Sequence, residues 1–595
     1  MSSSADKLVF DLSSEIESST NVFVKKDWIN ILDNMNTNYA SNQSVIDTSQ
    51  LSNSNKYMSY REAYLIMPIL LTVSTSTLAT AAGFAPGTPA TTADYMIGLK
   101  SWYGQLIHSF TLDYQGTTVI QQTPYINMYN SFRLLTSMSW QDVISQGPTI
   151  GFYPDDPLAF SFYAAASVSG MGTCNNMINP LGYIASSDIT VAFNSYNRSA
   201  GNIGALKRCQ YINYHPDITT NGAAVGDVQY TALQTSNNCT NLWKSYIYST
   251  INGVNNTNQG SFQIAITATI YLKHIHSFFA MCPLLKGVFL KMTMNLNNTS
   301  VNFSSAGAAG AITLTSVSNA VGGCCPLLLS AAQIPISLSN AGAVTYAPFT
   351  HLGATSYIAS VSVGSQCLNT SQSSIQAPGP RSIYLYVPAY TFNPVFEQAY
   401  LSSPIKQICY TDVYQYQVIG IAGGGGGQFN NLLTNGIANI KSVLIIPFYS
   451  ATTANTTGLP AGIPVFQSPF DTAGSGTTSP LCAFSNFNIV VSGQNAIYNT
   501  QMRGYEQFNN QLYGTNAVNG GLTDGLTSGL ISASGFESSY CYYYVDVGRM
   551  LPVEESVPKS VQIIGTSQSA KAIDLYCFIS YQQTISIDIL TGSRV

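Results

Sequence analysis

Few residues in this chain could do chemistry, and their spacing assembles no familiar site. The histidines are His108, His215, His274, His276 and His351. On a strand His274 and His276 would face one side and could hold a metal, but no nearby carboxylate or thiol spacing completes the set, so core or interface positions suit them better. Gly423 to Gly427 is a glycine run without the Lys-Ser/Thr ending of a phosphate loop and opens no clear helix, which makes it a linker. Asp155-Asp156, flanked by Pro154 and Pro157, lacks the EF-hand spacing of oxygens and reads as a turn, and Glu554-Glu555 as a solvated loop. The 11 cysteines show no recurring ligand spacing. Their odd count fits reduced, mostly buried thiols made in a cytosol, and adjacent Cys324-Cys325 is too cramped for an ordinary disulfide. Neither catalysis nor a metal nor a cofactor is expected.

What holds those residues is a chain of 595 residues with 45% apolar content, too hydrophobic to stay unfolded. Charged residues make up only 8% of it, against roughly a quarter in ordinary soluble proteins. Asn, Ser, Thr, Gln and Tyr take their place, and no Asp, Glu, Lys or Arg occurs from Met292 to Pro380. Net charge keeps proteins apart in solution, so a neutral polar surface favours a packed assembly. The competing classes are a cell-surface adhesin or carbohydrate-binding protein with the same Ser/Thr/Asn bias, and a secreted β-rich hydrolase. The net charge is −5 and the 22 basic residues are scattered, with only short pairs such as Lys25-Lys26. No stripe could neutralise phosphates, so direct sequence-specific nucleic-acid binding is not expected. No basic segment followed by an apolar one opens the chain, which argues against a signal peptide. The uncharged run from Ala63 to Ala93 is interrupted by Pro68, Pro86 and Pro89 and predicts a strand and a loop, not a membrane span.

Apolar residues alternate with polar ones along Leu290, Met292, Met294 and Leu296, along Ile383, Leu385 and Val387, and along Ile573, Leu575, Cys577 and Ile579. Ile585, Ile587 and Ile589 continue the pattern. Period two lays one face of an extended chain on a core, and long helical periodicity is rare, so the chain is mainly β. No blade-length repeat recurs, which favours a sandwich or jelly roll over a propeller.

A longer repeat does occur. The segment from Phe110 to Leu135 aligns without a gap on Phe487 to Leu512: Phe110 falls on Phe487, Gly116 on Gly493, Ile120 on Ile497, Thr123 on Thr500 and Leu135 on Leu512. Each copy reads strand, glycine turn, strand, helix, with a Thr able to cap the helix and Pro124 in the first helical position of copy one. Upstream, Leu65 to Pro68 and Leu444 to Pro447 form a second matched anchor. These matches predict a first domain over residues 51–420, a glycine-rich linker over 421–440 and a second domain over 441–595. Insertions in the first domain, emerging as loops, are expected over about 145–260 and 297–380. Residues 1–50 read as an N-terminal arm, with an amphipathic turn at Trp28, Ile31, Leu32 and Met35.

Four stretches give the pattern a family likeness: Leu272 to Asn295, Ile383 to Tyr414, Tyr542 to Met550 and Val557 to Tyr581. In their order, spacing and length they resemble the double jelly-roll major capsid proteins, most closely those of Sputnik-like virophages. The resemblance spans nearly the whole chain. It implies an all-β fold of two tandem jelly-roll barrels with long insertions in the first and a few short helices. It further implies a homotrimer of pseudo-hexameric outline that tiles an icosahedral shell around a double-stranded DNA genome, assembled in the host cytoplasm. A minor capsid protein would close the vertices, and the N-terminal arm would lie at the inner face, where it could meet a membrane or minor proteins.

Overall fold

The protein is described by a computed structural model over residues 21–75, 95–155, 204, 208, 245–251, 259–306, 311–331, 335–338, 344–346, 356–364, 382–423, 426–450, 464–469, 484–497, 504–513, 529–538, 540–548, 554–569, 572–589 and 591–594. Strands dominate because period-two burial recurs along the chain. In Leu290–Leu296 the four alternate apolar side chains are fully buried while Lys291 points to solvent. The first barrel consists of β1 (Phe23–Leu32), β2 (Gln43–Asp47), β3 (Tyr64–Thr75), β4 (Ile107–Tyr114), β5 (Thr117–Ile120), β6 (Gln259–Tyr271), β7 (Leu290–Leu296) and β8 (Tyr384–Phe392). Its antiparallel sheets run β1-β8-β3-β6 and β2-β7-β4-β5.

The second barrel consists of β9 (Ile405–Ile421), β10 (Gly427–Ile437), β11 (Ile440–Tyr449), β12 (Phe484–Val491), β13 (Gln494–Asn495), β14 (Tyr543–Asp546), β15 (Lys559–Ser567) and β16 (Ile573–Asp588). Its sheets run β9-β16-β11-β14 and β10-β15-β12-β13. Adding eight to each strand number of the first barrel reproduces the second. First strand beside last and second beside seventh is the jelly-roll order, closed twice over two inward apolar faces. The described helices are short: α1 (Ile126–Ser137), α2 (Trp140–Ile150), α3 (Leu272–Ile275), α4 (Ser277–Met281), α5 (Pro394–Leu401), α6 (Tyr505–Tyr513) and α7 (Ala533–Ser538).

Three boundaries differ from those read in the sequence. Residues 23–32 and 43–47 are not an arm but β1 and β2, the first strands of the first barrel. Ile29 and Ile31 face the core, Val24 and Trp28 face out, and β8 supplies the backbone partners from Phe23↔Phe392 to Leu32↔Tyr384. The apolar spacing that suggested a helical turn at Trp28 is a strand with apolar residues on both faces. The first domain does not run to 420, nor does a linker occupy 421–440 or the second domain start at 441. β9 and β10 are the first two strands of the second barrel, the one ending at Ile421 and the other beginning at Gly427. The junction is instead the stretch after Phe392 that carries α5. The sequence anchors Leu65 to Pro68 and Leu444 to Pro447 lie on β3 and β11, the third strand of each barrel, so boundaries counted from them omit two strands. The insertion at 297–380 is also more than loop. Ser356–Val363 pairs with the far half of β3, and the hairpin Thr299–Ala306/Ala311–Asn319 extends that sheet sideways. Residues 1–20 lie outside the described residues.

Both glycine turns of the repeat have one geometry. Gln115 and Gly116 sit at φ 49° and 80°, Ser492 and Gly493 at 49° and 82°. Two successive positive φ values between antiparallel neighbours make a type I′ hairpin, whose twist matches that of the strands. A Cβ at either glycine would meet nothing within 4 Å, so the cost of a side chain there is backbone strain alone. Gly116→Val or Gly493→Val should each destabilise the fold by about 1–3 kcal/mol. Chemical denaturation measures this, and unchanged midpoints in both variants would show that the turns tolerate a β-branched residue.

Candidate functional site

The first copy of the repeat carries Thr123 and α1 to the seam between the barrels. Phe110 and Phe487 are buried on the fourth strand of their respective barrels, β4 and β12, and Ile120 ends β5. Leu135 and Leu512 are buried on α1 and α6, Ile497 is partly buried, and Thr500 lies outside the described residues. The helix start differs from the sequence reading. α1 begins at Ile126 after a left-handed Tyr125 that offers no side-chain cap, so neither Thr123 nor Pro124 opens it as expected. Thr123 bonds across the seam instead, its Oγ1 donating to the Val413 carbonyl of β9 at 2.7 Å.

Further bonds repeat this theme. The Tyr410 hydroxyl donates to the Val119 carbonyl at 2.8 Å, and Ser277 Oγ donates to the Thr411 carbonyl at 2.7 Å while accepting from the Thr411 N–H at 2.9 Å. The first barrel thus covers the middle of the β9 edge, which would otherwise leave strand groups unpaired. Around them α1 inserts aromatic rings into the second barrel. Tyr125 meets Tyr576 at 5.1 Å, Tyr129 meets Phe578 at 5.8 Å, and Phe132 meets Tyr542 at 5.0 Å. At one end the Tyr114 hydroxyl donates to the Gly592 carbonyl at 2.9 Å, and Ile589 packs with Tyr57 and Phe392. The barrels therefore stand side by side with the same ends together, as one block.

His274 and His276 sit where two short helices, not a strand, place them, and His108 lies on β4. His276 caps α4 by accepting from the Phe278 N–H, and its Nε2 lies 3.4 Å from Asp412 Oδ1. Burial pushes His108 and His274 down to about 4, so both are neutral near pH 7. Burial pushes the Cys324 thiol up to about 11, which makes it unreactive. Among the described residues no three His, Cys, Asp or Glu side chains gather as a metal site. Asp155, read in the sequence as part of a turn, is buried and pairs with Arg208.

Two surface features set the block's outer character. Ion pairs, half-buried to exposed, collect at the end where β1 and β9 begin: Lys26 with Glu62, Lys25 and Lys56 with Asp27, Lys286 with Glu397, and Lys441 and Lys559 with Glu555 and Glu554. Such pairs contribute little to stability but mark one end as charged. The edge strands instead expose apolar side chains, Val24 and Trp28 on β1 and Tyr414, Tyr416 and Ile419 on β9. β1 and β9 are equivalent first strands, so the two barrels present related apolar edges. Period-two spacing of Tyr414 and Tyr416 could have revealed the β9 patch in the sequence; nothing local signals the Asp155–Arg208 pair, whose members stand 53 positions apart.

No protein-family model and no curated protein matches this chain. Among solved structures, a chain of the Sputnik virophage is similar at TM-score 0.44 and 12% identity, over 98% of this chain and 91% of that one. The mavirus major capsid protein matches at TM-score 0.39 and 10% identity, over 100% and 94%. The Faustovirus major capsid protein matches at TM-score 0.39 and 8% identity, over 97% and 94%. By its own strand order, repeated barrel for barrel, the chain is a double jelly roll.

Proposed function

We propose that the chain is a major capsid protein, a structural subunit that works by assembly. The observation that carries this reading is the pairing of two barrels of one strand order in a single block whose edges expose apolar side chains and whose charge is low. Three such blocks around an axis would set six similar barrels in a ring, an outline suited to hexagonal tiling. Burial of low-charge flanks avoids most of the desolvation cost that ion-rich surfaces carry. The homotrimer would tile an icosahedral shell around double-stranded DNA, with a minor protein at the vertices. Residues preceding β1 would face inward, toward a membrane or minor proteins. Light scattering of the purified chain tests the first step: the expected mass is about three chains and stays so on dilution through the micromolar range. A strict monomer, or specific glycan binding at the loops, would instead support the adhesin reading.

A further inference from the structure

One row of side chains recurs on the two barrels, buried on the second and open on the first. On the outer face of the sheet β1-β8-β3-β6, register sets Tyr386 of β8 beside Tyr64 of β3, and Tyr64 beside Tyr271 of β6. Tyr64 stacks on Tyr386 at 5.3 Å, meets the Tyr271 ring edge-on at 5.8 Å and lies 5.5 Å from the exposed Trp28 ring of β1. All three tyrosines are only half-buried in the single chain. On the second barrel β16 and β11 set Tyr576 beside Ile446, and Tyr542 lies just before β14. The last strands match in sequence as well as in place, because Ile383, Leu385 and Tyr386 fall on Ile573, Leu575 and Tyr576. Here the row is closed: Tyr576, Ile446 and Tyr542 are at most 5% exposed, and α1 of the first barrel meets it through Tyr125 and Phe132.

In the repeat the counterpart of α1 is α6, with Glu506 in the place of Tyr129 and Asn509 in that of Phe132. α6 packs on β14 and α7 through the buried Phe508 and leaves Glu506 and Asn510 exposed, one turn apart on one face. Tyr129 meets Phe578, two residues beyond Tyr576. The same step on the first barrel leads from Tyr386 to Pro388, from Tyr64 to Glu62 and from Tyr271 to Lys273. Glu62 is held by Lys26. Lys273 is exposed, its Nζ 5.4 Å from the centre of the Tyr271 ring, and among the described residues neither it nor Glu506 has an ion-pair partner.

We propose that α6 of a second copy of this chain covers the tyrosine row of the first barrel, repeating between chains the contact that α1 makes within one, with Glu506 set against Lys273. The proposal rests on the assembly reading above and names the surfaces that join the copies. The rings supply apolar area with polar tips, and the ion pair at their margin fixes which patch docks on which. Such a contact joins unlike patches head to tail, which is the kind that closes into a ring.

Carbodiimide coupling of the full-length protein tests it, because this reagent joins a carboxylate to an amine in contact and leaves no spacer. Bands of more than one chain on a denaturing gel are expected, with a Glu506–Lys273 amide found by mass spectrometry of the peptides in those bands. Charge exchange gives a second readout that needs no chemistry. Lys273→Glu or Glu506→Lys alone should raise the concentration at which the assembly dissociates about tenfold, and the two together should restore it. Both side chains are exposed, so the variants keep the fold. An assembly that forms but yields no such amide and ignores both single charge changes would overturn this contact while leaving the assembly reading in place. A chain that light scattering finds monomeric throughout would remove both.

Discussion

Replacing Phe132 by Ala should remove about 3–5 kcal/mol of stability, the range for deleting a fully buried aromatic side chain. Phe132 is 1% exposed on α1 of the first barrel, yet its neighbours belong to the second: Tyr542 at 5.0 Å, Tyr544 at 5.7 Å and Phe508 at 6.5 Å. Truncation leaves a cavity between rings that are themselves fixed by two barrels, so the site cannot collapse to fill it. Phe132→Leu, which keeps most of the volume, should cost far less. Equilibrium denaturation measures both. Because the ring lies in the seam, the Ala variant should also begin to separate the unfolding of the two barrels, which in the parent protein is expected as one transition. A loss below about 1 kcal/mol for the Ala variant would mean that α1 does not join the barrels as described.

Asp155→Ala should be comparably damaging, about 3–5 kcal/mol, for an electrostatic reason. Arg208 is 2% exposed and bonds both the Asp155 carboxylate and the Tyr153 carbonyl, while the Tyr540 hydroxyl donates to the Asp155 carbonyl at 2.8 Å. Deleting the carboxylate leaves a guanidinium buried without its counter-charge, and that residue cannot shed its proton. Replacing both partners together, Asp155→Leu with Arg208→Met, should recover most of the loss, because two apolar side chains need no compensation. Thermal and chemical denaturation of the single and double variants form the test. A double variant as unstable as Asp155→Ala would trace the cost to packing around Tyr153 and Tyr540 instead.

Strand positions were legible wherever one face is buried. Met292 and Met294 on β7, or Ile585 and Ile587 on β16, alternate because the core takes every second side chain. Gly116 and Gly493 were legible as a matched pair because a two-residue turn with positive φ favours glycine at that place. Domain edges were not. β1 and β9 are edge strands with apolar side chains on both faces, so Trp28 gave a false helical spacing and the start of the second barrel passed for the tail of the first. The glycine run after Ile421 reads as a linker in the sequence, and only the pairing of β10 with β15, which begins at Gly427, shows that a strand of the second barrel starts there. Thr123 has the chemistry of a helix cap and the tertiary role of a seam bond to Val413, a choice made by the neighbouring barrel.

Cryo-electron microscopy of the assembled protein tests the central claim most directly. The expected density holds six barrels around a threefold axis, with Tyr414, Tyr416 and Ile419 of each chain covered by a neighbouring copy and the charged ends aligned on one side. Isolated single chains in which Tyr414, Tyr416 and Ile419 remain open to solvent would contradict it.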